Sequence, residues 1–451
     1  MTASSDSSLS APLKGPRQLG LFTATCLIVG NLIGMGVFML PSAMASLGSV
    51  GLMGWGVTIL GALCLALIFA SLAQRSSAEG GIYAYSREAF GDYIGFQVAW
   101  NYWIASWTGN TAFIVSVPAY LSIIWPQMHE NPILSFFSSL GILWSLVALQ
   151  CFGIKEAAIF QNISTVLKLI PLIIIPAVGI FYIQADHFSY PISPTFSFSE
   201  GLAEASILTI WAFIGIESAT IPAGAIKNPK KTIPRATVMG TLVAAFVYIL
   251  GAIALLGVVG PERLAQTKAP YAVAAGLIFP QFSTHWLEIF VALGAVISGV
   301  GCLNGWILLQ GQMPYAASQD GLFPKFFERG LYKGTPILGI VFSSVLVSLL
   351  FTMSYSGSLI HQYVFIVKIS TLCMLIAYIY PTVAALILIP KKRGVSEVMH
   401  LILVGVGIIY ILWAMFGAGI EIVAYGSLFF FGSTPLYFWV KKRNNFPLKK
   451  R

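Results

Sequence analysis

Lys168 and Glu217 stand inside stretches that are otherwise apolar or small, and Trp306 lies in a third among glycine, cysteine and asparagine. Ionisable groups in apolar surroundings are expensive to keep, so each is a functional hypothesis on its own. Lys168 falls midway along its run, in Thr165-Val166-Leu167-Lys168-Leu169-Ile170-Pro171, too deep for its ammonium to reach water easily. Two roles suit it: a group that exchanges a proton, or a fixed cation that ties two helices together. Lys368 sits roughly two turns from the end of its run, where a long side chain snorkels to the interface. Glu204, Glu288 and Glu421 lie nearer helix ends. Glu217 could pair with a cationic substrate, act as a gate, or accept hydrogen bonds from nearby backbone amides.

Tyr102, Ser106 and Asn110 recur at i, i+4 and i+8, which puts them on one helical face. Such a polar stripe serves either as hydrogen-bonding glue between helices or as one wall of a site. Trp306, in Gly301-Cys302-Leu303-Asn304-Gly305-Trp306, stands away from the interfacial belts where tryptophan is enriched. It either fills space or offers an indole face to an ammonium or guanidinium group. The histidines (His129, His187, His285, His361, His400) and aspartates (Asp6, Asp92, Asp186, Asp320) lie in loops, at helix ends or in the tail. The interior therefore lacks the cluster that a metal-dependent or nucleophilic enzyme needs, and no GxxxxGK[ST] phosphate loop is present. Neither an enzyme nor a cofactor is expected. Cys26, Cys64, Cys151, Cys302 and Cys373 are far apart within apolar runs and read as buried free thiols.

Two interruptions in the apolar runs would position these groups. One is Gly30-Asn31-Leu32-Ile33-Gly34-Met35-Gly36; the other is Trp211-Ala212-Phe213-Ile214-Gly215-Ile216-Glu217-Ser218. Unwound backbone is tolerated in hydrocarbon only where it lines a cavity or binds something. Corresponding breaks in the first helix of each half of a chain point to a secondary transporter's substrate site.

The 451 residues are 57% hydrophobic and only 9% charged, against about 25% charged in soluble proteins, so lipid is the main solvent. Runs long enough to cross a bilayer (about 20 residues) fall at about 20–44, 49–74, 93–125, 132–153, 157–184, 201–225, 235–259, 284–316, 335–354, 361–390, 399–418 and 423–440. Twelve spans put both termini on one side. Of the 25 Lys and Arg, only Arg263 and Lys268 fall on the opposite side, apart from Lys168 and Lys368 within spans. The positive-inside rule makes the basic side, with both termini, cytoplasmic. The net charge of +9 thus reflects topology, and nucleic acid is not an expected partner. Residues 1–15 read as a disordered tail without a cleavable signal, and 443–451 as a basic tail.

The Gly34-Met35-Gly36-Val37-Phe38 break, Gly80-Gly81-Ile82-Tyr83-Ala84-Tyr85, and residues 211–218 followed by Lys227-Asn228-Pro229-Lys230-Lys231 occur in this order along the chain. The series resembles the amino acid–polyamine–organocation superfamily, over about residues 19–442, and within it the bacterial basic amino acid/polyamine antiporters of the arginine–agmatine type. The resemblance implies an all-α polytopic fold with a 5+5 inverted repeat, leucine-transporter-like, and broken helices 1 and 6. The transporter domain would span 16–442, with repeats at about 20–185 and 201–390. Helices 11 and 12, about 399–440, would stand outside them in a possible homodimer interface.

By the same resemblance the substrate α-carboxylate would meet amides near Met35 and Gly36, and its amino group carbonyls near Leu32, Trp211 and Ile214. The distal part would lie by Ala105, Ser106 and Asn110, over Trp306 and within reach of Ser370. Tyr102, Trp211, Glu217 and Tyr378 match gating positions. Met35 replaces a serine of the closest relatives. Lys168 matches a lysine that takes the place of a sodium ion in some proton-coupled members, and the arginine–agmatine type lacks it. The expected function is exchange of cationic amino acids or their decarboxylated amines across the bacterial inner membrane. The alternative is proton-coupled uptake of neutral or broad-range amino acids through Lys168.

Overall fold

In hydrocarbon every backbone polar group must be satisfied within its own segment, which leaves helices as the only open architecture. The computed structural model describes residues 18–189, 197–267, 269–354, 359–389, 395–417 and 420–443, so the expected tails lie largely outside the described residues. Its principal helices are α1 (Leu21–Leu32), α2 (Gly48–Arg75), α3 (Asp92–Ile124), α4 (Pro132–Phe152), α5 (Ile154–Gly179), α6 (Phe198–Ile210), α7 (Pro229–Val259), α8 (Thr284–Gln319), α9 (Ile337–Ser354), α10 (Leu359–Leu388), α11 (Val395–Gly417), α12 (Ile420–Gly432) and α13 (Thr434–Arg443). Among the described residues seven helices are each long and apolar enough to cross a membrane, and Leu21–Leu32 and Ile337–Met353 are shorter apolar ones. The last expected span is two helices, α12 and α13, parted at Ser433.

Local sequence sets the ends. Asn131 caps α4 by accepting from the Leu134 amide at 3.1 Å, with Pro132 at the first helical position. Ser197 and Glu200 form a reciprocal capping box at the start of α6. α7 begins after Asn228, held in the left-handed region at φ 47°, and Pro229 then fixes the first turn.

Both predicted breaks are real. α1 ends at an extended Ile33 and the chain resumes as a 3-10 turn, Met35–Phe38, and a short helix, Leu40–Met44. α6 passes through a 3-10 turn, Trp211–Phe213, and then does not resume as a helix; residues 214–222 run as turns into Ala223–Ala225. Gly215, at φ 121°, takes a conformation closed to most residues, and the Gly80 amide donates to the Ile221 carbonyl at 3.0 Å. At Gly81 (φ 46°) a Cβ would meet the Thr220 hydroxyl at 2.1 Å, so the loop after α2 lies hard against this unwound segment.

The helix pairings repeat under a shift of five. α2 packs on α6 as α7 packs on α1; α3 packs on α10 as α8 packs on α5; α3 meets α9 as α8 meets α4. α2 with α7 and α3 with α8 are their own counterparts. This is the pairing of two five-helix repeats related by a two-fold axis in the membrane plane. α11 packs outside it, against α2 and α10.

Candidate substrate site

A helix that stops in mid-membrane leaves carbonyls without intrahelical partners. Here other helices supply them. Lys168 Nζ on α5 donates to Gly30 O (3.0 Å) and Ile33 O (2.7 Å) of α1, and to Ser298 O (3.1 Å) of α8. Lys168 is fully buried, and these three bonds use all three donors of an ammonium. Among the described residues it forms no ion pair. Ser298 Oγ lies 3.1 Å from Ile33 O and 3.0 Å from Gly34 O. Trp306 Nε1 and Cys302 Sγ each donate to Asn31 O at 3.3 Å.

The two breaks are also joined directly. Asn31 Nδ2 donates to Ser218 Oγ at 2.9 Å. The Tyr248 hydroxyl on α7 lies 2.7 Å from Leu32 O and 3.0 Å from Ala212 O, sharing its proton between both unwound segments. What remains are the amides that open the Met35–Phe38 turn. The first N–H groups of a helical turn have no partner within it and favour anions.

Between the breaks lies a cavity of about 30 Å³, room for about one water. Leu32, Gly36, Ala105, Ser106, Trp211, Ile214, Trp306 and Ser370, which the family resemblance places at a substrate, line it. Met35 and Asn110 do not. Met35 turns toward α3, where Ser116 Oγ donates to its sulfur at 3.5 Å. Asn110 Nδ2 donates to Gln310 Oε1 at 2.8 Å, and Gln310 donates on to Ser344 at 2.9 Å. The polar stripe on α3 is therefore divided: Ser106 faces the cavity, while Asn110 joins helices. Asn31, Phe113, Tyr248 and Met374 also line the cavity and escaped sequence reasoning. The lining carries no Asp, Glu, Lys, Arg or His. Serine hydroxyls supply further polarity, and each is anchored on α3: Ser106 Oγ on Tyr102 O and Ser370 Oγ on Ala105 O, both at 2.7 Å.

Glu217 lies behind this wall, fully buried. Tyr102 donates to one carboxylate oxygen at 2.8 Å and Tyr378 to the other, while the Gly215 amide donates to the Tyr378 hydroxyl at 3.0 Å. The Tyr102 ring also stands 6.1 Å from Trp306, so one side chain touches both the carboxylate and the cavity wall. Glu217 thus ties the unwound segment to α3 and α10 and does not line the cavity itself. Lys368 is exposed, as snorkelling requires.

At the basic end a polar lock joins several elements. Tyr83 donates to Asp320 at 2.9 Å, Arg87 bridges Asp320 (2.7 Å) and Asp92 (2.9 Å), and Lys441 reaches Asp92 at 3.1 Å. Glu79, buried in the loop between α2 and the short helix Ile82–Phe90, has its carboxyl pushed up to about 7 by burial, which the Gly224 amide partly offsets.

The chain is similar to known proteins. A family profile for amino acid permeases matches residues 19–448. An arginine/ornithine antiporter of Pseudomonas aeruginosa is 29% identical over 92% of this chain and 89% of its own length. A cadaverine/lysine antiporter of Escherichia coli is 32% identical over 74% of each chain. A putrescine transporter of Haemophilus influenzae is 30% identical over 96% of this chain and 99% of its own. Among solved structures, MhsT in complex with L-phenylalanine superposes with a TM-score of 0.63, covering 90% of this chain and all of its own at 14% identity, which speaks to the fold. With its inverted repeat, broken helices and family profile, this chain belongs to the amino acid permease family of the amino acid–polyamine–organocation superfamily.

Proposed function

We propose that this chain is a secondary transporter that exchanges cationic amino acids and their decarboxylated amines by alternating access. The observation that carries the reading is a cavity at the two helix breaks with no ionised side chain in its wall. An amino acid and its amine differ by a carboxylate. A buried arginine placed to hold that carboxylate would be left uncompensated when the amine is bound, at a cost of several kcal/mol. Neutral amides at the Met35–Phe38 turn accept either substrate. The shared distal cation meets the face of Trp306, which needs no counter-charge. The named relatives exchange or carry substrates of this kind.

The cavity as it stands is too small for an amino acid, so entry requires wall side chains to move. Trp211 and Phe113, with ring centroids 6.4 Å apart, form the outer wall. Tyr102, Glu217 and Tyr378 form the inner one. We assign all twelve apolar segments as spans and the repeats to 20–185 and 201–390. Both termini lie in the cytoplasm of a bacterial inner membrane, and a homodimer through α11 and α12 fits their exposed apolar faces.

Proton-coupled uptake is the second reading. It is favoured by Lys168, whose ammonium sits on three carbonyls as a bound cation would. Counterflow in proteoliposomes tests both. Exchange predicts that internal arginine, lysine, ornithine, agmatine, cadaverine or putrescine accelerates uptake of labelled arginine or lysine without a pH gradient. Accumulation driven by a pH gradient into empty vesicles, with no trans-stimulation, overturns exchange.

A further inference from the structure

The ion pairs among the described residues lie at the basic end and engage Arg75, Arg87 and Lys441. Lys325, Arg329 and Arg443 take part in none of them. These three converge on one cleft of about 350 Å³, between the 3-10 turn Lys325–Glu328 and α13. Glu328 is in the same turn but does not line the cleft, and no other carboxylate does. Its remaining walls include Phe326 and Trp439, which are 41% and 49% exposed. The Arg443 guanidinium stacks over the Trp439 indole at 5.2 Å, which holds it in place, and among the described residues it makes no ion pair.

Three cations gathered with no counter-charge among the described residues repel one another, and an anion seated among them removes that repulsion. A planar, pre-oriented guanidinium favours a phosphate oxygen pair. The aromatic flank separates a lipid from a soluble anion. Exposed tryptophan concentrates at the headgroup level of membranes, and an inorganic anion gains nothing from it. We infer that this cleft binds the phosphate of an anionic phospholipid in the adjoining leaflet, with the glycerol and upper acyl region against Phe326 and Trp439. The lipid would clamp the end of α13 to the segment that follows α8, next to the Arg87–Asp320 lock.

The test uses the purified full chain and native mass spectrometry, titrating phosphatidylglycerol against phosphatidylcholine. The wild type should retain phosphatidylglycerol in preference. Each basic residue removed near an anionic lipid weakens binding about five-fold, so K325Q/R329Q/R443Q should retain at least ten-fold less. W439A, with all charges kept, should lose a few-fold. K230Q/K231Q, which removes exposed basic residues away from the cleft, should match wild type. No preference for the anionic lipid in the wild type overturns the inference, whatever the variants do. So does an equal loss in K230Q/K231Q, which would mean diffuse attraction. Displacement of the lipid by millimolar inorganic phosphate would make this a soluble-anion site instead.

Discussion

Replacing Trp306 separates binding of a cation from simple packing. The indole does two jobs that can be removed one at a time: it presents a face to the cavity and it donates Nε1–H to Asn31 O at 3.3 Å. A cation over an aromatic face contributes about 0.5–2 kcal/mol, more as water is excluded. The hydrogen bond contributes about 0.5–1.5 kcal/mol, and at 3.3 Å it belongs near the low end. Trp306→Leu removes both; the lost ring face should lower arginine affinity by about two- to thirty-fold, while the bond to Asn31, made with or without ligand, bears on stability. Trp306→Phe keeps a smaller ring face and loses the N–H, so arginine affinity should fall less than in Trp306→Leu. The deciding measurement is calorimetric binding of arginine and of citrulline, its uncharged isostere, to wild type and both variants. Trp306→Leu should weaken arginine more than citrulline by a further factor of about 2–30. If both ligands weaken equally, the cation–π role is refuted and the indole only fills space. If neither weakens, Trp306 is not part of the site.

Three further outcomes follow from the same geometry. Lys168→Arg keeps a permanent cation against the Gly30, Ile33 and Ser298 carbonyls, since arginine does not deprotonate. Under exchange it should support counterflow far better than Lys168→Ala, whereas proton coupling requires both variants to lose gradient-driven accumulation. Glu217→Ala leaves the Tyr102 and Tyr378 hydroxyls without their acceptor and should slow turnover more than it weakens binding, because gating acts on a conformational step; weak binding with normal saturated turnover would make Glu217 a ligand. Glu79 is held near 7 when buried against an ordinary value of 4.5, so the closed basic end binds the extra proton. Closure that buries Glu79 is favoured at low pH and weakens progressively as pH rises toward 7, above which the loss levels off. Exchange rates should therefore vary between pH 5.5 and 8 in the wild type and flatten in Glu79→Gln, and a profile unchanged by that substitution would show that Glu79 is not the titrating group.

Much of the architecture was legible because lipid restricts the choices. Apolar runs must be helices, and glycine-rich interruptions must serve a site, so both breaks, and Ser106 and Trp306, could be read from residue type and spacing, while the other six expected lining residues came from the family resemblance. Lys168 and Trp306 stood out because each is costly or unusual where it is. What could not be read is which way a side chain turns about a helix. Asn110 shares a face with Ser106 by spacing, yet Gln310, 200 residues away, captures it. Tyr248 gave no signal, since one tyrosine in an apolar run looks like packing; its role exists only once Leu32 and Ala212 are both beside it. The unwound segment after α6 also accepts from the loop at Gly80, a donor the local sequence does not contain.

The captured carbonyls of α1 carry a consequence for biogenesis. The first span reaches the membrane before its partners on α5, α7 and α8 have been made. Trp306 is 275 residues beyond Asn31, which at about 5–20 residues per second means a wait of about 14–55 s. Until then the unwound carbonyls must stay hydrated, in the translocation channel or at the membrane surface, or be shielded by an assembly factor. The nascent first span should accordingly stay extractable by alkali until α8 has been made, and truncated chains ending before α8 should leave it loosely held.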